Sequence, residues 1–321
     1  MKEGGEHFVT CFDSFFMPQG LALYESLLKH YKGSVLWVVC LDKKSFEYLQ
    51  KCAYPMMRTL FIEDLENERL LTLKSTRTKA EYIWTLSPFI PGWVFDRDPK
   101  VTRVTYLDAD MCFLSDPALI FDEFEKSGKE VLITEHAFDK EYEQSLLLGQ
   151  FCVQFIIYNR QGSEEILKWW KDRCIEWCYN RWEDGKFGDQ KYLDQWPILF
   201  PDKVHILQNL NYILAPWNAG RYKPSDLILW HFHGLRLLTN GRVLLHSRYK
   251  ISNEIDREVY YPYLKLLKKW MNDEVFSSIR FLSYNQFIET LIFIFSAVFR
   301  TIAKRKIYTL MPRIKVIKID K

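Results

Sequence analysis

At 321 residues, 48% hydrophobic and 26% charged, the chain has the make-up of an ordinary globular protein with room for one large domain or two small ones. Its net charge of +3 is unevenly spread: from Val275 onward nine Lys and Arg face two acids, a tail of +7 that leaves −4 on the other 274 residues. A mildly acidic body excludes nucleic acid as an expected partner, since duplex binding needs a basic surface.

Seven Cys, an odd number, lie scattered through apolar runs, and the start Met1-Lys-Glu-Gly-Gly-Glu6 is polar rather than a secretory signal. A reducing, cytoplasmic setting is expected. Cys174 and Cys178 lie four apart on a predicted helix with no partner pair at zinc spacing, so core packing is their reading. Aromatic residues reach 16%, with 11 Trp. Such rings fill cores, sugar-stacking walls or membrane-interface belts, and the count does not choose among them.

In chain order, His7–Phe12 reads as a first strand and Pro18–Tyr31 as an amphipathic helix. Val35–Leu41 is a continuous apolar run, as in a parallel strand covered on both faces. A helical stretch from Asp42 to Ala53 completes a right-handed strand–helix–strand start. A short strand at Leu60–Ile62 and helices at Asp64–Leu73 and Ser75–Leu86 follow. Strands are then predicted at Val101–Leu107, Val131–Thr134 and Val153–Tyr158. Ser163–Arg181 reads as a helix with Ser163 as its cap and Glu164 and Glu165 in its first turn. Asp256–Asn272 is a further helix. The expected class is α/β, a mostly parallel central sheet flanked by helices, with functional loops at one edge.

The segment Val104-Thr-Tyr-Leu-Asp-Ala-Asp-Met111 carries the most chemistry. It is a buried strand ending on Asp108 and Asp110, separated by the small Ala109. Ligands dock at the C-terminal edge of such sheets. Two carboxylates there make a hard oxygen site suited to Mg²⁺ or Mn²⁺ and, through the ion, to a diphosphate. A pair of acids merely ending a strand at a turn is the plainer alternative. Three later segments join it. In Phe187-Gly-Asp-Gln-Lys-Tyr-Leu193, Asp189 and Gln190 follow a glycine at a helix start, where capping is the ordinary role. Leu214-Ala-Pro-Trp-Asn218 offers Trp217 to stack on a sugar and Asn218 to hydrogen-bond it, or serves as a buried anchor. Leu229-Trp-His-Phe-His-Gly234, if extended, turns His231 and His233 to one face. One imidazole would complete the metal site while Gly234 lets backbone N–H groups approach phosphate, with Arg236 nearby; two core histidines are the alternative.

These motifs together resemble the GT-A-fold glycosyltransferases of the glycogenin and lipopolysaccharide-galactosyltransferase family, over roughly His7 to Tyr249. The likeness rests on Tyr-Leu-Asp-Ala-Asp, the Asp-Gln pair at 189–190, and His-x-x-Gly at His231 and Gly234. It is nearest to bacterial members linked to surface polysaccharide. The resemblance implies a Rossmann-like nucleotide-diphospho-sugar transferase in which Asp108, Asp110 and His231 hold Mn²⁺ (or Mg²⁺). The ion would bridge the diphosphate of a nucleotide sugar, usually UDP-linked, with the backbone at Ala109 beside it. Asp189 would bind sugar hydroxyls, and Gln190 would face the reacting carbon opposite the leaving group in a retaining mechanism. The first-strand loop, Thr10, Cys11, Phe12 and Ser14, would cradle base and ribose, while Arg77 and Lys79 would neutralise diphosphate. Trp217, Asn218 and His233 would line the substrate. Three departures stand out: Cys152 occupies a frequent Asn position, Leu235-Arg-Leu-Leu238 replaces Lys-Pro-Trp, and Phe12 lacks the usual acid.

The sequence reading divides the chain into a catalytic domain, 1–272, and a basic extension, 273–321. In the latter, Phe287, Leu291, Ile294, Phe295, Val298 and Ile302 share one helical face, and Lys304-Arg-Lys306 follows. Its longest apolar run is far short of the roughly 20 residues a spanning helix needs, so a helix lying on the cytoplasmic face of an anionic membrane is expected, with a tail helix packed on the catalytic body as the alternative. That placement suits a glycan or lipid-linked glycan acceptor. Two other readings are a catalytically dead sugar-binding adaptor and a haloacid-dehalogenase-like phosphatase, whose acids belong on the first strand.

Overall fold

The computed structural model describes residues 5–238, 242–271 and 316–318. The chain forms two compact units, Met1–His231 and Phe232–Lys321. The catalytic domain of the sequence reading thus spans all of the first and part of the second.

The first unit is built on a seven-stranded sheet in the order β3-β2-β1-β4-β7-β6-β8. Its strands are β1 (His7–Phe12), β2 (Val35–Cys40), β3 (Met57–Phe61), β4 (Arg103–Leu107), β6 (Val131–Glu135), β7 (Phe151–Asn159) and β8 (Val204–Ile206). Pairing is parallel except where β7 runs against both β4 and β6. Every residue of β2 is buried, as its unbroken apolar run required. A second, three-stranded sheet pairs β5 (Met111–Phe113), β10 (Leu229–His231) and β9 (Ile213–Leu214).

Helix Met17–His30 packs close to β1. A Cβ on Gly20 would overlap the Phe12 ring at 2.2 Å, so only glycine fits this crossing. Helix Lys43–Cys52 starts where expected, with Asp42 accepting the Ser45 N–H at 2.8 Å as its cap. Other boundaries shifted. The expected helices at 64–73 and 75–86 are Glu68–Thr76 and Lys79–Leu86, each delayed by its own cap, Asn67 and Thr78. Helix Glu164–Glu176 stops five residues before the expected end at Arg181, because Trp177 turns extended (φ −152°). Ser163 does not cap it: its hydroxyl donates to Asn159 O.

The second unit contains an antiparallel sheet of β11 (Arg236–Leu237), β12 (Arg242–Leu244) and β13 (Val316–Lys318). The expected helix at 256–272 starts earlier, at Asn253 with Ser252 as its cap, passes through a wide π-type stretch, Asp256–Tyr260, and continues as Tyr261–Met271. Phe232 stacks on Tyr263 within it, 3.6 Å between ring centres. The predicted amphipathic helix at 287–302 lies outside the described residues. Among the described residues, no helix is long and apolar enough to cross a membrane.

A candidate metal and sugar site at the sheet edge

Strand β4 ends at Leu107, and the chain turns at once, Met111 N–H bonding back to Asp108 O at 3.2 Å. That turn projects Asp108 and Asp110 from the C-terminal edge of the sheet and launches β5. Strand β10 pairs with β5 so that His231 stands directly opposite Met111. This register brings the imidazole to the acids from a distant part of the chain. His231 Nε2 lies 3.1 Å from Asp110 Oδ1 and 3.8 Å from Asp108 Oδ2. One donor atom from each of the three residues lies within 4.8 Å of the other two.

The imidazole is held from behind. Its Nδ1 is 2.8 Å from Gln154 Oε1, an acceptor, so Nδ1–H donates there and Nε2 is left facing the carboxylates. Gln154 is fully buried on β7, and its carbonyl accepts the Asp108 N–H at 3.1 Å. Tyr106 hydroxyl donates to Asp108 Oδ1 at 3.0 Å. Burial, with the neighbouring Asp110 charge, pushes the Asp108 carboxyl above its ordinary range, against the pull of His231 and Tyr106. Two crowded carboxylates and an imidazole nitrogen form a donor set that suits Mn²⁺, or Mg²⁺ less well given the nitrogen.

Asp189 lies within electrostatic reach of Asp108. It is 6% exposed, and burial first, then the Asp108 charge, push it up to about 7, while the Ser87 side chain and the Asp189 and Gln190 backbone pull it back. It precedes the tight turn Gln190–Gln195, and its carboxyl is held by the Ser87 side chain and by the Asp189 and Gln190 backbone. Trp170 Nε1 fixes its carbonyl at 2.9 Å. Gln190 is half-buried beside it.

Several expected site residues are placed otherwise. Arg77 is 7% exposed, and its guanidinium bonds Cys174 O and Ile175 O at 2.8 Å each, together with the Thr85 hydroxyl. It closes the open carbonyls at the C-terminus of helix Glu164–Glu176. Trp217 and Asn218 are buried, and both donate to His136 O at 2.9 Å. The Asn218 oxygen accepts the Ala215 N–H at 2.7 Å. Trp217 meets His231 edge-on, 5.3 Å between ring centres at 85°, and walls in the imidazole.

At the first strand, Thr10 and Phe12 are buried within β1, and Cys11 and Ser14 are half-buried. Ser14 N–H and hydroxyl bond Asp42 Oδ2 at 3.0 and 2.7 Å. The acid missing at Phe12 stands one residue on. Asp13, 7% exposed, accepts the Phe15 and Phe16 N–H groups and pairs with the exposed Lys79. Ala109 is buried between the two acids.

His233, Gly234 and Arg236 belong to the second unit. The strand stops at His231, and Leu235 N–H bonds Phe232 O at 2.9 Å, so a turn replaces the extended segment that would have set both histidines on one face. Gly234 makes that turn at φ +82°, where a Cβ would press on Ser247 at 2.8 Å. His233 lies against Tyr249, and Arg236 opens β11. Cys152 is buried on β7, and burial raises its thiol well above the ordinary value.

Of the residues that sequence reasoning missed, Gln154 and Ser87 act through tertiary contacts, while Tyr106, two residues before Asp108, and Asp13, next to Phe12, had a local signal.

The acid-tipped fourth strand, the reversed β7 and the crossing β5–β10 pair define a GT-A fold. The solved apo form of glycosyltransferase GlyE from Streptococcus pneumoniae TIGR4 shares it with a TM-score of 0.50 at 15% identity, over 84% of this chain and 64% of that one. No family model matches the chain. Two curated relatives from Bacillus subtilis (strain 168) do. "Uncharacterized protein YfnF" is 35% identical over 244 residues, covering 70% of this chain and 80% of that protein. "Uncharacterized protein YfnD" is 30% identical over 286 residues, covering 83% and 90%. The chain belongs to the family of these two proteins.

Proposed function

We propose that the protein is a metal-dependent glycosyltransferase that moves a sugar from a nucleotide diphosphate, UDP-linked as the motif resemblance implies, to a glycan or lipid-linked glycan. The observation that carries this reading is the meeting of Asp108, Asp110 and Nε2 of His231, with a carboxyl that titrates near neutrality, Asp189, alongside. These three residues would hold Mn²⁺. When bound, the ion supplies positive charge to the diphosphate as negative charge develops on the departing phosphate.

The protein's own groups do the rest. Gln154 and Trp217 keep the imidazole oriented, and Tyr106 steadies Asp108, so the ligands need little rearrangement. Asp189 accepts hydrogen bonds from sugar hydroxyls and fixes the ring. Gln190, next to it, supports a reading in which its amide faces the electron-poor carbon and departure proceeds with retention. Lys79, held by Asp13 at the end of β1, is the cation nearest in role to the one expected for the nucleotide side. Peripheral attachment to the cytoplasmic membrane face, through the basic tail, would bring such an enzyme to lipid-linked acceptors.

Asp110→Asn tests the reading. Release of nucleotide from the sugar donor that the wild type uses should fall by at least roughly a hundredfold with the fold intact. Turnover equal to wild type would remove the metal role.

A further inference from the structure

The turn carrying Asp189 and Gln190 is braced by groups outside the ligands already described. Asp194 Oδ1 accepts the backbone N–H of Gln150 at 2.8 Å and of Phe151 at 3.4 Å. Its Oδ2 takes Lys191 Nζ at 2.8 Å, and the same ammonium donates to Ser145 O at 3.1 Å. Two side chains thereby tie the turn Gln190–Gln195 to the helical turn Ser145–Leu148 and to the first residues of β7. Gly149 permits the approach. It sits at φ +108°, and a Cβ there would lie 3.2 Å from Asp194 Oδ1, 3.4 Å from Lys191 Cα and 3.6 Å from Gln190 O.

The brace continues toward the metal side. Gly149 O lies 3.0 Å from His136 Nδ1, and burial lowers His136 to about 4, so the ring is neutral and Nδ1–H donates. His136 O receives Trp217 and Asn218, and Trp217 walls in His231. A continuous path of close contacts therefore joins the Asp189–Gln190 turn to the imidazole that faces the two acids.

We propose that Asp194, with Lys191, is a positioning residue that sets the Asp189–Gln190 turn against the His231 side of the site; its consequence for catalysis rests on the glycosyltransferase reading above. A carboxylate that accepts two backbone N–H groups and an ammonium makes a stiff, charge-assisted anchor. The two side chains are only 17% and 25% exposed, Lys191 and Asp194 respectively, so water competes little for these bonds. Release of the brace lets the turn drift relative to the ion. The diphosphate, anchored at the ion, would still bind, while the sugar loses its alignment. A displacement of about 1 Å at a reacting centre costs on the order of a hundredfold in rate.

The test uses the full chain with Asp194→Ala and, separately, Lys191→Met, which leaves the Asp194 backbone bonds in place should the first variant fold poorly. Amide hydrogen exchange is followed by mass spectrometry across 187–195, together with steady-state kinetics on the nucleotide sugar that the wild type turns over. Exchange at 187–195 should quicken at least roughly tenfold while peptides of β1, β2 and β4 keep their protection. The value of kcat should fall roughly 30- to 100-fold, with the donor KM and Mn²⁺ affinity within about twofold of wild type. Unchanged exchange at 187–195 in both variants would overturn the proposal, whether or not any sugar is transferred. Faster exchange with unchanged kcat would overturn it too, since the brace would then serve stability alone. Faster exchange in the variants of a chain whose wild type transfers no sugar would uphold the brace and sink the glycosyltransferase reading instead.

Discussion

Replacing Asp189 by Asn isolates the effect of burying a carboxyl beside Asp108. The group sits at about 7 in the native protein, with burial as the main cause, against 3.8 in the unfolded chain. Between those two values the native state retains a proton that the unfolded chain has released. Native molecules therefore bind more protons, and the stability of the metal-free protein falls as pH rises through this window. Above it both states are ionised and the penalty is constant, at most roughly 4 kcal/mol for a shift of about three units. Between pH 5 and pH 8 the group should account for a loss of roughly 3 kcal/mol in wild type and none in Asp189→Asn. Urea unfolding followed by tryptophan fluorescence, in the presence of EDTA, reads the difference. At pH 8 the variant should be the more stable protein although its sugar transfer is lost. Saturating Mn²⁺ should shrink the wild-type slope, because a cation near Asp108 favours the ionised carboxyl. Equal pH slopes in wild type and variant, without metal, would refute the argument that Asp189 is held protonated by its surroundings.

Gln154→Leu removes the acceptor of His231 Nδ1 and should weaken Mn²⁺ binding roughly 10- to 100-fold by calorimetry; an unchanged affinity would show that Gln154 does not orient the ligand. Arg77→Met strips the cap from helix Glu164–Glu176 and should cost roughly 3 kcal/mol in urea unfolding, with the donor KM unmoved. A raised KM at unaltered stability would support the diphosphate role. Reversal of Lys304, Arg305 and Lys306 to Glu leaves the strand Val316–Lys318 in place and should reduce sedimentation with anionic vesicles by roughly two orders of magnitude. Equal sedimentation would end the case for a membrane-facing tail.

Much of the sheet was legible because strands covered on both faces must be apolar throughout. Val35–Cys40 and the run into Leu107 show this, and neither has another reading of comparable strength. The acid pair was legible for a related reason: two charges directly after a buried strand must emerge at its end. His231 was told apart from His233 only through the His-x-x-Gly match, because the strand's end depends on where β5 stops pairing. Arg77, Trp217 and Asn218 look like ligand-binding residues by type. Their burial depends on helix ends and carbonyls far away in sequence, which local pattern does not encode. The helix boundary at Glu176 failed in the same way, because its terminal carbonyls are satisfied by an arginine that precedes it by about a hundred residues.

The reversed direction of β7 has a consequence for how this site can diversify. Because β6 points the same way as β4, and β7 between them runs against both, the 136–150 connection leaves and re-enters the sheet at the rim that bears the acids. Its middle carries Leu146, 94% exposed, while its two ends are pinned by His136 and Gly149. Residues between those pins can be exchanged or lengthened without breaking a strand pair, so under the proposed function this short stretch is where acceptor preference would change, with Asp108, Asp110 and His231 left as they are.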